Sequence, residues 1–584
     1  MNRNLASLAP AAARIACLGL PGIIYFLMPT GGDALEGLVP HFALLRFHLL
    51  NEMAIPYFSP AKCAGWVLAA HPKNLLFSTF TLLALIIPNA YTAVKLSHAI
   101  HTVAFGTGLY AWFRWFGVKN QIARLFAAVL ISFSGYWITK TVTAGHLDLL
   151  YGSALAPWIL VVIENLLSQE PKTRKRYLGL FVILTGLFVL LVNSVYWLWV
   201  VLPLLVARVV IEALCFRRNQ LRRVLTGLGV MLISSVVAVL LSAPALAGVY
   251  EYSMKAFPRN AEHYQVLGDT RWLLEMLVRS FLDSGILTEA RHDSALGGSH
   301  EYSNFIGLWS LPLAAVGLFR LKNLFGSRAF GGLVIAAIFQ LALVRTTHVA
   351  DLARMLLPVL NSLTWYWRGS INLLLVYVVV VGAGVELLLA NRQRVLTLVS
   401  FSFIVLNLGE LGMVYNRAGL LVMEKPDFVA NTMESKDYFS QPVFPHSSNT
   451  VWQIRCWDTL TGYRAEFYNS WAHGGPVNEE DGTMKRSRGG PVYEADGTIN
   501  MVDIRVLFGA AGKGGYFKDH PWPLWPAGDG EQLVKFLNFE QIIPVPLRLQ
   551  VINSLSAILW VAYLTLTLFM GVNRARSWQT NTLS

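Results

Sequence analysis

Charge is what this sequence has little of. Only 14% of its 584 residues are Asp, Glu, Lys or Arg, against about a quarter in ordinary soluble domains. With 55% hydrophobic residues and a mean hydropathy of +0.49, that deficit excludes a soluble globular chain and implies a polytopic membrane protein. Cysteine is also sparse. Cys17, Cys63, Cys215 and Cys456 form no CxxC pair and no metal-ligand spacing, which argues against a zinc module or a disulfide scaffold. Cys63 and Cys456 fall on one side of the predicted topology, so a bridge between them and two free thiols both stay open. No Walker loop, Rossmann glycine fingerprint or HExxH helix is present. Without an ATP motif on the inner loops, any transferred group must arrive already activated.

The charges that are present follow a pattern. The formal net charge is +13, yet the basic residues sit in short clusters between apolar segments, the positive-inside signature of cytoplasmic loops and not a nucleic-acid surface. Ala11–Met28 reads as a retained signal anchor, because no small-residue cleavage site follows it. Thr92–Phe113 descends to Arg114, Lys119 and Arg124. Leu75–Pro88 is too short to cross and reads as interfacial or re-entrant. Ala123–Val142 rises, Ala154–Leu167 descends, and Tyr177–Val192 with Tyr196–Cys215 makes a hairpin. Val224–Val249 rises, Phe305–Phe319 descends, Phe330–Val344 rises, Ile371–Ala390 descends, Val395–Val414 rises and Val551–Met570 descends. The expected fold is therefore mostly α, a multi-pass protein with about twelve spans and both termini cytoplasmic. Residues 1–415 form the transmembrane module and 416–548 an extracytoplasmic domain, mostly β or α/β. Residues 549–584 form the last span and a tail. Inside the domain, GGPVNEEDGT (Gly474–Thr483) nearly repeats as GGPVYEADGT (Gly489–Thr498), the pattern of a duplicated hairpin with D-G turns.

The first outer loop, residues 29–91, opens the chemistry. Asp33 and Glu36 stand at i, i+3 spacing and share a helix face. Pro40, Pro56, Pro60 and Pro72 break the backbone, which hydrocarbon does not tolerate, so the loop lies on a membrane face. His71 and Lys73 follow. Further outer segments carry Lys140, His146 and Asp148, then Arg279, Asp283, His292, Asp293, His300 and Glu301. The segment WYWRGS puts Arg368 at the mouth of the Ile371 span. Asp33 is the candidate general base, able to take a proton from an acceptor hydroxyl. Arg368 suits a leaving phosphate, which its paired N–H donors match. Glu36, His71, Lys73, His146, Asp148 and His300 are candidate substrate-binding residues, each also readable as a solvated or hydrogen-bonded loop residue.

A family resemblance rests on these segments taken in order. One span, then GGD (Gly31–Asp33), FSPAKCAGW and HPKNLLFS resembles the GT-C membrane glycosyltransferases, most of all the YfhO-like bacterial membrane proteins. FSGYW (Phe133–Trp137), GHLDLLYGSALAPW (Gly145–Trp158), YSNFIGLWSLPLAAVGL and WYWRGS are similar to that group in order and spacing, to about Ala390. The resemblance implies an outer active site, a polyprenyl-phosphate sugar donor and a catalytic aspartate in the first loop, here Asp33. Glu36 departs from the adjacent Asp–Glu pair of protein mannosyltransferases. The expected function is an inverting glycosyltransferase of the bacterial plasma membrane, passing a sugar to an envelope glycan, lipid or protein. No cofactor is implied with certainty, and a divalent cation stays open. A transporter or flippase and a non-catalytic envelope assembly protein are the rival readings.

Overall fold

The computed structural model describes residues 2–28, 78–143, 146–168, 174–192, 197–215, 220–247, 303–345, 347–356, 366–390, 394–423 and 547–583, with short pieces within 38–67 and 277–298. The described chain is mostly helical. Phe58–Ser59 pairs antiparallel with Trp66–Val67, and His292–Asp293 with Gly297–Gly298. The expected 416–548 domain, its repeat, Cys63 and Cys456 lie outside the described residues, save for helix at the domain's two margins.

Helix α1 (Asn2–Leu27) is followed by α2 (Thr79–Ile86) and α3 (Ala90–Trp112). Small residues let α1 and α3 pack closely. A methyl on Gly22 would come within 2.8 Å of the Ala99 carbonyl oxygen, and Gly106 faces Leu18. Arg14 reaches Tyr110 at 3.3 Å and Gln121 at 2.8 Å. These pairings make the two helices antiparallel, so the chain between them returns to the end where α1 finished. The eight residues of α2 give about 12 Å of helix against roughly 30 Å of hydrocarbon. Thr79 starts α2 beside Ser97 and His101, both 3.4 Å away and well along α3. From there α2 climbs back to Asn89, whose side chain caps α3 by accepting from Thr92 N at 2.9 Å. At that length α2 alone does not span such a layer.

The predicted span Ala123–Val142 is not one regular helix. Asn120 caps α4 (Gln121–Ser132), and the ladder stops at Phe133. Ser134 then caps a single turn, α5 (Gly135–Ile138), which runs into a π-helical turn, Thr139–Thr143. The backbone N–H that the break exposes on Gly135 is satisfied by the carbonyl of Phe305. Thr139 and Thr141 turn their hydroxyls onto the carbonyls of Gly135 and Trp137, a back-bonding that loosens the helix. Helix α6 (Leu147–Ser168) runs parallel to α3, fixed where Trp158 Nε1 donates to Ala104 O at 2.7 Å.

The remaining helices are α7 (Arg174–Val192), α8 (Trp197–Leu214), α9 (Leu221–Leu241), α10 (Ser310–Leu318), α11 (Leu321–Phe325), α12 (Arg328–Arg345), α13 (Thr347–Leu356), α14 (Ile371–Ala390), α15 (Arg394–Met423) and α16 (Leu547–Leu583). Helices α10 and α14 touch backbone to backbone. Gly317 lies against the carbonyl of Val380, and Gly384 against that of Leu313, so neither position has room for a side chain. Helix α16 is peripheral: 6% of its apolar window is buried, against 83% for Leu149–Leu167 in α6. Three side chains tie it on. Ser556 and Trp560 donate to Leu241 O at 2.9 and 3.0 Å, and Tyr563 to Val182 O at 2.8 Å.

Seven stretches of the described residues are long and apolar enough to cross a membrane: Gln121–Val142, Leu149–Leu167, Lys175–Val192, Leu221–Leu241, Arg368–Ala390, Leu396–Val414 and Leu547–Val572. Ala12–Leu27 and Arg328–Val344 are apolar but shorter. Among the predicted spans outside the seven, α3 carries Lys95, Ser97, His98, His101 and Thr102 along its length. The expected span Phe305–Phe319 is helical only over the nine residues of α10. Two expected boundaries also shift. Helix α15 continues past 415 to Met423, and α16 starts at Leu547, so the margins of the 416–548 segment are helical.

One end of the bundle gathers the basic clusters. There Arg208, on α8, grips Glu164 of α6 through two bonds of 2.7 and 3.0 Å and Glu212 at 2.7 Å. Arg328 of α12 also binds Glu212, and its second nitrogen reaches Cys215 O at 3.0 Å. Glu386 of α14 accepts from Lys119 N at 2.9 Å and faces Arg320 at 3.7 Å.

Candidate functional site

At the opposite end, the broken helix α4–α5 and the start of α14 meet. The chain enters α14 through a 3₁₀ turn, Tyr366–Ser370, and this turn is held from several sides. Tyr136, on α5, donates its hydroxyl to the carbonyl of Arg368 at 2.8 Å. Ser370 Oγ donates to Asn304 Oδ1 at 3.2 Å, and Asn304 N in turn binds Ser280 O at 2.8 Å. Gly369 sits against the side-chain amide of Gln340 from α12, which a Cβ there would displace. One residue into α14, Asn372 Nδ2 reaches Val200 O on α8 at 3.4 Å. So α5, α8, α12 and the segment before α10 all converge on the turn that carries Arg368.

Arg368 is buried, at 9% exposure. It stands in the turn immediately before Ile371, packed into the bundle. Lys140 is fully buried in the π-helical turn, with Nζ 5.9 Å from the ring centroid of Tyr136. Tyr136 therefore lies near the Lys140 ammonium with its ring and ties down the backbone of Arg368 with its hydroxyl. Cations at such depth are expensive in a bundle of this kind and mark functional positions by default. A π-bulge beside one of them strengthens the case, since such bulges concentrate at working sites.

Below this pair lies a layer of neutral polar groups. Trp137 Nε1 donates to Thr102 Oγ1 at 3.0 Å, and Thr102 is 3.4 Å from His98 Nε2. His98 stacks edge-on against Tyr25, centroids 5.3 Å apart. His101 lies 4.3 Å from the Tyr151 ring and within 2.6 Å of Ser97 O through Nδ1. This layer links α1, α2, α3, α5 and α6, and gives the bundle hydrogen-bonding capacity without net charge.

Of the residues singled out from sequence, Arg368 is central here. His146 is half-buried immediately before α6, where its carbonyl accepts from Leu149 N at 3.2 Å. Asp148 belongs to the first turn of α6. Asp33, Glu36, His71, Lys73 and His300 lie outside the described residues. Sequence reasoning gave no role to Tyr136, Trp137, His98, His101 or Thr102. A signal existed for the histidines, two imidazoles at i, i+3 within one predicted span; Lys140, named from sequence with the outer segment after Ala123–Val142, is buried in the π-helical turn instead. Among the described residues no group of three or more His, Cys, Asp or Glu is placed to hold a metal ion.

The architecture is a helical bundle in which seven described stretches are long and apolar enough to cross a membrane, with buried cations at one end. Comparison with protein-family models, with curated proteins and with solved structures finds no match.

Proposed function

We propose that the chain is an inverting glycosyltransferase of the bacterial plasma membrane that moves a sugar from a polyprenyl phosphate to an acceptor of the cell envelope. The observation that carries this reading is the juxtaposition of buried Lys140 and Arg368 around Tyr136, at the end opposite the basic loops. Two cations at one end of a membrane bundle suit an anionic lipid headgroup, and arginine in particular suits a phosphate. In the twelve-span topology, α1, α3, α4–α5, α6, α7, α8, α9, α10, α12, α14, α15 and α16 alternate in direction, and α2 does not cross. The positive-inside rule then puts Arg368 on the outer side.

The chemistry is a single displacement. The acceptor hydroxyl loses its proton to the Asp33 carboxylate as its oxygen bonds to the anomeric carbon. The bond from that carbon to the phosphate oxygen breaks, and the polyprenyl phosphate leaves with the electron pair, held by Arg368 with Lys140 nearby. The acceptor is an envelope glycan, lipid or protein. A transporter is disfavoured by the acids among the described residues. Glu164, Glu212 and Glu386 are bonded at the basic end, and Glu410 accepts from Leu308 N at 2.7 Å. Transporters place coupling acids at mid-membrane.

The test uses purified protein in nanodiscs, with long-chain polyprenyl phosphate as the binding probe and its sugar derivative as donor. Arg368→Ala should weaken binding about 10- to 100-fold, the share of a charge-assisted hydrogen bond. Asp33→Asn should leave binding unchanged and cut transfer by about a hundredfold or more. Wild-type binding by Arg368→Ala, or wild-type transfer by Asp33→Asn, overturns the corresponding assignment.

A further inference from the structure

Helix α13 (Thr347–Leu356) has no place in the crossing scheme, and its surface is divided. Val349 and Ala353, one turn apart, pack against the hydrophobic core of the bundle. Leu352, Met355 and Leu356, at i, i+3 and i+4 on the adjoining edge, are 53%, 71% and 67% exposed. Asp351 is exposed on the polar side, while His348, one turn before Leu352, is exposed on the aliphatic edge itself. A ten-residue helix with a packed edge, a bare aliphatic edge and a polar back has the pattern of a helix lying in a membrane interface.

Its height in the bundle follows from α12. That helix starts at Arg328, fixed among the ion pairs of the basic end by Glu212 and Cys215. Its 18 residues rise about 27 Å, close to the roughly 30 Å of a hydrocarbon core. A single residue, 346, separates its last residue from the first of α13, so α13 begins where hydrocarbon gives way to headgroups. The bare edge also continues a lipid-type surface, since Ile338 and Phe339 of α12 are 59% and 39% exposed. A second copy of the chain is a poor occupant. Three aliphatic side chains offer on the order of a few hundred Å², well short of the roughly 800 Å² per partner of a stable protein interface.

We propose that α13 lies in the headgroup region of the leaflet opposite the basic loops, with Leu352, Met355 and Leu356 inserted among the acyl chains. The inference rests on the membrane reading above. It also sets a depth for the candidate site. Gln340, which packs against Gly369, is five residues before the end of α12, so the turn carrying Arg368 lies within about 8 Å of the interface. A lipid phosphate at ordinary headgroup depth would meet it without being drawn to mid-membrane.

The test is nitroxide labelling of the full chain in liposomes, on a background with the four native cysteines replaced by serine. Labels go on Met355→Cys, Asp351→Cys and, as control, Leu564→Cys of α16, a half-exposed position within an apolar crossing segment. Collision rates with oxygen and with a water-soluble nickel chelate report depth. The label at 355 should be oxygen-accessible and shielded from nickel by about tenfold relative to the label at 351. A water-accessible 355 with a lipid-exposed 564 overturns the α13 proposal alone. Water access at both overturns the membrane reading with it. A label at 355 closed to both reagents means that protein covers this edge, which also refutes the proposal.

Discussion

Replacing Arg208 with leucine should be among the most destabilising single changes in the bundle, and the structure says how much of the loss is recoverable. Arg208 is 2% exposed and forks onto Glu164 with bonds of 2.7 and 3.0 Å, while a third bond of 2.7 Å holds Glu212. Removing the guanidinium takes two charge-assisted bonds from Glu164, whose side chain is 2% exposed, whereas Glu212 keeps Arg328 and has Arg223 at 4.0 Å. Breaking a buried pair from one side costs about 3–5 kcal/mol, a factor of roughly a hundred to several thousand in the folding equilibrium. Glu164→Leu should cost less, because Arg208 keeps its bond to Glu212. The double replacement Glu164→Leu/Arg208→Leu removes both charges and fills the space with apolar atoms. It should sit well above either single variant, with a coupling of about 2 kcal/mol or more. The measurement is reversible unfolding in mixed detergent micelles, followed by circular dichroism across a denaturing-detergent titration. Additive losses in the double variant, or single losses under about 1 kcal/mol, would mean that water reaches these groups and that the network is not a buried staple.

The α10–α14 crossing gives a steric prediction. Gly384→Ala would push a methyl into the Leu313 and Gly317 backbone, so the purified protein should lose its monodisperse gel-filtration peak, while Gly412→Ala, with nothing within 4 Å of its added Cβ, should elute as wild type. Sidedness can be read from a native thiol: Cys215 is exposed beside the basic cluster at the end of α8. With the other three cysteines replaced, it should react with an impermeant maleimide in inside-out vesicles and not in spheroplasts, and the reverse labelling would invert the topology.

Regular helices were largely legible in the sequence because length and hydropathy are local properties. Ile371–Ala390 matches its expected limits, and α7, α8 and α15 overlap their predicted spans over most of their length. The short apolar run near Leu75 reads as non-crossing from its length and from the side on which a crossing would put the next basic cluster; in the structure its described part is the eight-residue helix α2. Irregular segments were less legible. Nothing local to Ala123–Val142 announces that Ser134 will cap a new turn. What makes that break tolerable is the carbonyl of Phe305, which is remote in sequence and becomes a partner only after the fold forms. The same holds for α10, whose preceding residues supply that carbonyl and the Asn304 side chain instead of continuing a helix.

These irregular segments are also where the candidate site lies, and for a physical reason. A regular helix in a bundle spends its backbone N–H groups on its own ladder, so it has no backbone donor left to fasten a neighbour. The 3₁₀ turn before α14 leaves the Arg368 carbonyl to accept from Tyr136, and the break before α5 leaves Gly135 N to donate to Phe305. Backbone groups released at two breaks thus help to lock those breaks in place, which holds Arg368 and Lys140 in one neighbourhood. Sequence reading could find Arg368 because an arginine beside a long apolar run is conspicuous. It gave Tyr136 no role because a tyrosine in an apolar run looks like core, and its hydroxyl bond to a residue 232 positions away is a property of the fold alone. A Tyr136→Phe variant isolates that bond. It keeps the ring beside Lys140 and removes only the tie to Arg368, so donor affinity should fall by about 3- to 10-fold, in keeping with the roughly 1 kcal/mol of a single neutral hydrogen bond. Unchanged affinity in Tyr136→Phe, alongside lost affinity in Arg368→Ala, would show that the turn is held by Gly369 against Gln340 and by Ser370 on Asn304 rather than by the tyrosine.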